Sequence, residues 1–104
     1  MGPRVAGFDW DDGNRDKCGK HGVSVAAIES LFRRPVAVVP DPVHSRGETR
    51  FKAIGKSDEG RSVLIVFTLR LRGGETFIRP ISTRYMHAKE VEHYEKEAAK
   101  IEKR

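Results

Sequence analysis

Glu48, Arg50 and Lys52 alternate along one stretch of this 104-residue chain, and Arg70, Ser82 and Arg84 recur at the same parity further on. In extended backbone, alternate residues project to one side of a sheet, so these positions would gather guanidinium, ammonium, hydroxyl and carboxylate groups on a single face. Such a set suits the binding and cleavage of RNA without a metal. A general base takes the proton of a ribose 2′-hydroxyl, cations stabilise the charge building on the phosphorane, and an acid protonates the leaving 5′-oxygen. Arginine fits the second role because its planar fork binds phosphate bidentately and stays charged. Glu48, His21 and His44 are the candidates for base and acid, since imidazole titrates nearest neutrality.

Each of these residues also has a plainer reading. A strand with Glu, Arg and Lys on one side is usually just the solvated face of an antiparallel sheet. His21, before Gly22, has the place of a helix C-terminal residue favoured by the dipole. His44 follows a proline-rich turn, and His87 and His93 lie at or on the last helix as surface groups. Phe8 and Trp10 could stack on a base, although an aromatic pair in a short first strand more often plugs a core. Cys18, the single cysteine, excludes a disulfide framework and a cysteine zinc cage, and reads as a small half-buried hydrophobe. No His-Glu-x-x-His, paired Asp-x-Asp or glycine-rich phosphate loop occurs in the sequence, so neither a metal nor another cofactor is expected.

The elements that must position these side chains follow from periodicity. Residues 6–10 form a short strand or extended lead-in, and Asp11 caps a polar helix through about Lys20, closed by Gly22. Ser24 caps a second helix, Val25 to Arg34, in which Val25, Ile28, Leu31 and Phe32 share a face and Pro35 stops the run. Val36 to Val39 is a strand ended by Pro40-Asp41-Pro42. Glu48 to Lys56 alternates, Ser62 to Arg70 is β-branched and aromatic as a central strand should be, and Thr76 to Arg84 returns after Gly73-Gly74. Pro80 cannot donate to a ladder, so the last strand is an edge there or carries a bulge that moves Arg79 across. Met86 to Ile101 is a closing helix with Val91, Tyr94, Ala98 and Ile101 on one stripe. The order predicts an α+β fold: two N-terminal helices, an antiparallel meander of about four strands plus a short first strand, and a C-terminal helix. Under the helices the odd positions Phe51, Ala53, Val63, Ile65, Phe67, Phe77 and Ile81 would make the core. The even positions, with Thr68 among them, would face water.

Length and charge bound what the fold can do. About 100 residues is one domain, here residues 1–104, with 1–5 a disordered start and 102–104 a frayed end. The apolar run Val63 to Phe67 is too short to span a bilayer and no leader pattern opens the chain, so a cytoplasmic protein is expected. The net charge of +5 is local. Residues 1–43 carry six basic and six acidic groups and residues 85–104 carry five of each, whereas residues 44–84 hold nine Lys/Arg against four Asp/Glu. The excess therefore sits in the meander, which points to a polyanion partner.

An ordered series of short motifs runs through nearly the whole chain. It comprises Phe8-Asp9-Trp10-Asp11, Lys20-His21-Gly22-Val23-Ser24, Asp41-Pro42 with His44 and Gly47-Glu48, Ile54-Gly55, Phe67-Thr68, Arg79-Pro80-Ile81-Ser82-Thr83-Arg84, and then Glu90 and Tyr94. Together these resemble the BrnT family of toxins. The resemblance implies a RelE- and ParE-like fold and the toxin half of a type II toxin–antitoxin pair: a ribonuclease that arrests translation. It implies as partner a ribbon-helix-helix antitoxin, BrnA-like, that wraps the toxin and contacts operator DNA in its place. Carried over by position, it favours Arg50, Arg79 and Arg84 as phosphate contacts, with Lys20, His21, Glu48, Glu90 and Tyr94 as further motif positions. Lys52, Arg70 and Ser82 complete the expected RNA-binding surface. The charge pattern also fits a non-catalytic module whose basic sheet docks nucleic acid or an acidic protein, and the resemblance, through ParE-like relatives that share the fold, also implies a gyrase inhibitor as an alternative.

Overall fold

Side-chain capping starts the first two helices, as the sequence requires. The computed structural model describes residues 5–34, 36–42 and 47–102, with side chains described through residue 96. Expectations resting on residues 1–4, Pro35, His44 and residues 103–104 lie outside the described residues. After β1 (Gly7–Phe8), Asp11 and Asn14 form a reciprocal capping box that opens α1 (Asp12–Gly19). Ser24 accepts from the Ala27 amide to open α2 (Val25–Phe32), which ends two residues short of the expected boundary. Four strands follow, β2 (Ala37–Pro40), β3 (Phe51–Lys56), β4 (Ser62–Arg72) and β5 (Glu75–Tyr85), before α3 (Ala88–Glu102). Glu48 and Arg50 therefore precede β3 rather than lying within it.

The sheet has the order β1-β5-β4-β3-β2, with β1 parallel to β5 and every other neighbour antiparallel. Gly73 and Gly74, both at positive φ, make the two-residue turn that returns β4 into β5, a backbone only glycine and a few polar residues adopt readily.

The bulge expected near Pro80 is present, and it rewrites the parity of β5. Val66 pairs with Ser82 and Phe67 with Pro80, so Ile81 is the extra residue between them. Up to Pro80 the even residues of β5 therefore face the N-terminal helices, and Ile78 is buried in the core where Phe77 and Ile81 were expected. Phe77 instead pairs with Arg70, and Arg79 crosses to the face of Thr68. Pro80 is tolerated because its carbonyl points away from β4, towards Asn14 Nδ2 at 2.8 Å; its missing amide removes no bond to β4.

Cys18, Val23, Ile28 and Leu31 from the α1–α2 side pack on Ala53, Val63, Ile65, Phe67 and Ile78 to form the main core. Phe32, Phe51 and Phe67 stack or meet edge to face within it, with Phe8 against Phe32. A second apolar cluster occupies the opposite face. There Val39, Ile54 and Leu64 are buried against Met86 and Tyr94, so α3 covers part of the face that parity alone had left entirely to water. A helix stripe of Val91 and Tyr94 requires an apolar partner, and the even residues Ile54 and Leu64 supply it. No described helix is long and apolar enough to cross a membrane.

Candidate active site

The even face divides into a covered half under α3 and an open half towards the β4–β5 turn. On the open half, Glu48 forms ion pairs with two guanidinium groups, Arg70 at 3.1 Å and Arg50 at 3.7 Å. Arg50 lies one residue ahead of β3, where its carbonyl accepts from the Asp41 amide and extends the β2–β3 ladder. Thr68, buried on the same face, donates to the Thr49 carbonyl at 2.7 Å and ties this lead-in to β4. The approach to β3 is thus held at both sides, which fixes where Glu48 and Arg50 emerge.

Nearer α3, Arg84 and Glu90 meet through two parallel contacts, Nη1 to Oε1 at 2.9 Å and Nη2 to Oε2 at 2.6 Å. The guanidinium holds the Glu90 carboxyl down at about 2, with help from the His87 amide, and the carboxylate in turn raises Arg84. Glu90 also accepts from the His87 amide at 3.2 Å, so it caps the start of α3 while gripping β5. Lys52 donates to the Tyr94 hydroxyl at 3.0 Å with its ammonium 5.0 Å from the ring centre, and it lies 3.9 Å from the buried carboxylate of Asp41. Ser82 stands between the two groups, on the row Lys52–Val66–Ser82.

Arg50, Ser82 and Arg84 therefore do share one face with Glu48, as parity predicts, but Arg50 and Arg84 are not neighbours. Arg84 sits in the row of Leu64 and Ile54, four residues along from position 50, or about 13 Å at strand spacing. Arg79 is on this face through the bulge and is engaged by two carboxylates, Asp11 at 2.9 Å and Asp9 at 3.5 Å; Asp9 also meets Arg72 at 3.2 Å. The Asn14 amide and then Arg79 lower Asp11. Lys20 and His21 lie elsewhere. They are exposed in the turn joining α1 to α2, on the helical side, and among the described residues no hydrogen bond or ion pair joins them to Glu48, Arg50 or Arg84.

Three residues outside the expected RNA-binding set prove central to the geometry. Asp41, expected in the Pro40-Asp41-Pro42 turn, is a buried carboxylate beside Lys52. Asn14 is buried and bridges the carbonyls of Asp9 and Pro80, locking α1 along the outer side of β5. Asp9 anchors Arg72 and Arg79. The signal for Asp9 was present, as a carboxylate inside an otherwise aromatic strand, whereas Asn14 follows from the capping pattern at Asp11.

Chemically, the face offers a carboxylate flanked by cations, a bidentately held arginine, a lysine–tyrosine pair and a hydroxyl, all on one side of a sheet. Against protein-family models, residues 10–90 match the family described as the ribonuclease toxin, BrnT, of type II toxin–antitoxin systems. No curated protein sequence matches the chain. The family match takes in β1's exit, both N-terminal helices, the whole meander and α3 as far as Glu90, and hence all of the face just described except Asp9 and Tyr94. The chain belongs to the BrnT family of ribonuclease toxins of type II toxin–antitoxin systems.

Proposed function

We propose that the protein is a metal-independent endoribonuclease toxin that cuts mRNA on the even face of its sheet and so inhibits translation. The observation that carries this reading is the joint presence of Glu48, placed between Arg50 and Arg70, and the Arg84–Glu90 pair on one sheet face. Glu48 acts as the base rather than His21, because it alone of the two lies among the phosphate-binding cations. It takes the 2′-hydroxyl proton, the 2′-oxygen attacks phosphorus, and the bond from phosphorus to the 5′-oxygen breaks as that oxygen takes up a proton from solvent. Arg84 and Arg50, being some distance apart, grip neighbouring parts of the sugar–phosphate backbone, and Arg70, Arg79, Lys52 and Ser82 extend that contact. Tyr94 and Lys52 border the site and hold one another in place. Lys20 contributes at most a peripheral contact from the helical side.

A balanced 2′-attack leaves a 2′,3′-cyclic phosphate on one fragment and a 5′-hydroxyl on the other. Purified protein incubated with RNA in excess chelator is expected to give those ends. Loss of cleavage on chelation, or fragments ending in 5′-phosphate and 3′-hydroxyl, would overturn the mechanism. RNA bound with steep salt dependence but never cut would favour the plain binding module.

The toxin family implies a protein antitoxin, and the reading takes it to be a BrnA-like ribbon-helix-helix protein. Its simplest inhibitory mode is to cover this same even face. Co-expression with such a partner is then expected to relieve growth arrest and block RNA binding together.

A further inference from the structure

We infer that Glu90 is a positioning residue for RNA cleavage: it fixes the plane of Arg84 so that one edge of the guanidinium, Nε with Nη2, is left to grip phosphate. The inference rests on the reading that Arg84 contacts the RNA backbone. A guanidinium has five N–H groups in a rigid planar fork. Glu90 takes one from Nη1 and one from Nη2, end-on, at 2.9 and 2.6 Å. The remaining Nη1 hydrogen faces the Tyr85 carbonyl, at a long 3.5 Å. Among the described residues no partner takes the side edge, two parallel donors at the spacing of two phosphate oxygens. Arg84 can therefore bind a phosphate bidentately without releasing Glu90.

The carboxylate is itself immobilised. Glu90 occupies the third position of α3, and its side chain returns to the amide of His87, one half of a capping box. A helix start, a carboxylate and a strand arginine thus form one rigid chain, and the arginine's usual freedom about its long stem is removed before substrate arrives. The competing possibility is that Glu90 merely blocks Arg84 and must be displaced. The two differ in sign. Removing a blocker speeds cleavage and tightens binding, whereas removing a positioner slows the chemical step.

Glu90→Gln separates these outcomes because glutamine still caps a helix through the same amide contact but offers Arg84 a single acceptor oxygen. For the purified full chain acting on RNA, kcat is expected to fall on the order of tenfold to a hundredfold with KM nearly unchanged. In an Arg84→Lys background, where no planar fork remains to be oriented, the same Glu90→Gln change is expected to leave kcat unaltered. That second comparison also guards against a folding artefact, since instability would lower activity in both backgrounds. Wild-type kcat in Glu90→Gln, or faster cleavage with tighter RNA binding, overturns the inference, and so does an equal loss in both backgrounds. If Arg84→Ala itself cleaves at the wild-type rate, the underlying reading of Arg84 fails as well; an inactive Arg84→Ala beside a fully active Glu90→Gln defeats only the role of Glu90.

Discussion

Glu90 and Arg84 also make a prediction about acid stability, because their pairing moves a carboxyl far from its ordinary value. The folded carboxyl is depressed to about 2 from a reference of 4.5. A depressed carboxyl contributes stability that is fully present above its unfolded value and is lost as pH falls through the folded one. Thermal midpoints measured between pH 6 and 2 should thus fall more steeply below about pH 4.5 for the wild type than for Glu90→Gln. Parallel curves would mean that the pair does not persist in solution. Cys18 makes the opposite case, a group silenced by its surroundings. Burial pushes its thiol up to about 11, so at neutral pH it is a core atom and not a nucleophile. A thiol reagent should label it slowly in the folded protein and rapidly in denaturant; fast labelling of the folded form would show that α1 opens readily. At this scale the sequence was informative about residue types and faces but silent about partners. Alternation put Glu48, Arg50 and Arg84 on one face, yet nothing in it could pair Arg84 with a helix residue six positions later, since that depends on where α3 starts and turns back.

Among the elements, β5 and α1 define each other. Asn14 Nδ2 donates to the Asp9 carbonyl at 2.9 Å and to the Pro80 carbonyl at 2.8 Å, while its Oδ1 accepts from the Asp11 amide at 2.7 Å. Asn14→Ala leaves both carbonyls without this donor in a buried setting and is expected to cost about 2 kcal/mol or more in denaturant unfolding. Asn14→Asp should be at least as damaging, because it sets a carboxylate oxygen against two carbonyls. A change under 0.5 kcal/mol in either variant, well below the usual cost of orphaning buried groups, would contradict the role. Gly55 has a steric reason of its own. A Cβ there would lie 3.1 Å from both Leu31 Cδ2 and Val36 Cγ1, so Gly55→Ala is expected to destabilise by about 1 kcal/mol through crowding of α2 against β3. Strand and helix identities were legible from period and capping signals, and Pro80 announced the bulge. The position of α3 was not legible. An amphipathic stripe states that a helix needs a surface, not which surface, and the even positions, Ile54 and Leu64 among them, were expected to face water rather than to form a second core.

At the scale of the whole molecule, the local charge excess acquires a geometry. The eight described cations of residues 47–84 are distributed about a sheet whose one face is closed by α1 and α2 and whose other face is only half covered by α3. Asp9, Asp11, Glu48 and Glu90 each engage arginines of this region, so the face is an ordered lattice of ion pairs rather than a loose positive patch. RNA affinity is expected to fall steeply with salt, and Arg50→Ala should flatten the slope of log affinity against log salt by about 0.7, the share of one single-strand phosphate contact. An unchanged slope would remove Arg50 from the interface. The sequence foretold the sign of the charge and its segment. It did not foretell the ion pairing, which arises from β1 and α3 closing on the sheet from opposite ends of the chain. The most direct test of the even face as the site of cleavage compares initial RNA cleavage rates of the wild type, Arg50→Ala, Arg84→Ala and, from the exposed helical side, Arg33→Ala, each verified as folded by its thermal midpoint. The two even-face variants should lose on the order of a hundredfold in rate while Arg33→Ala stays near wild type; a folded Arg84→Ala protein that cleaves RNA at the wild-type rate would contradict the account.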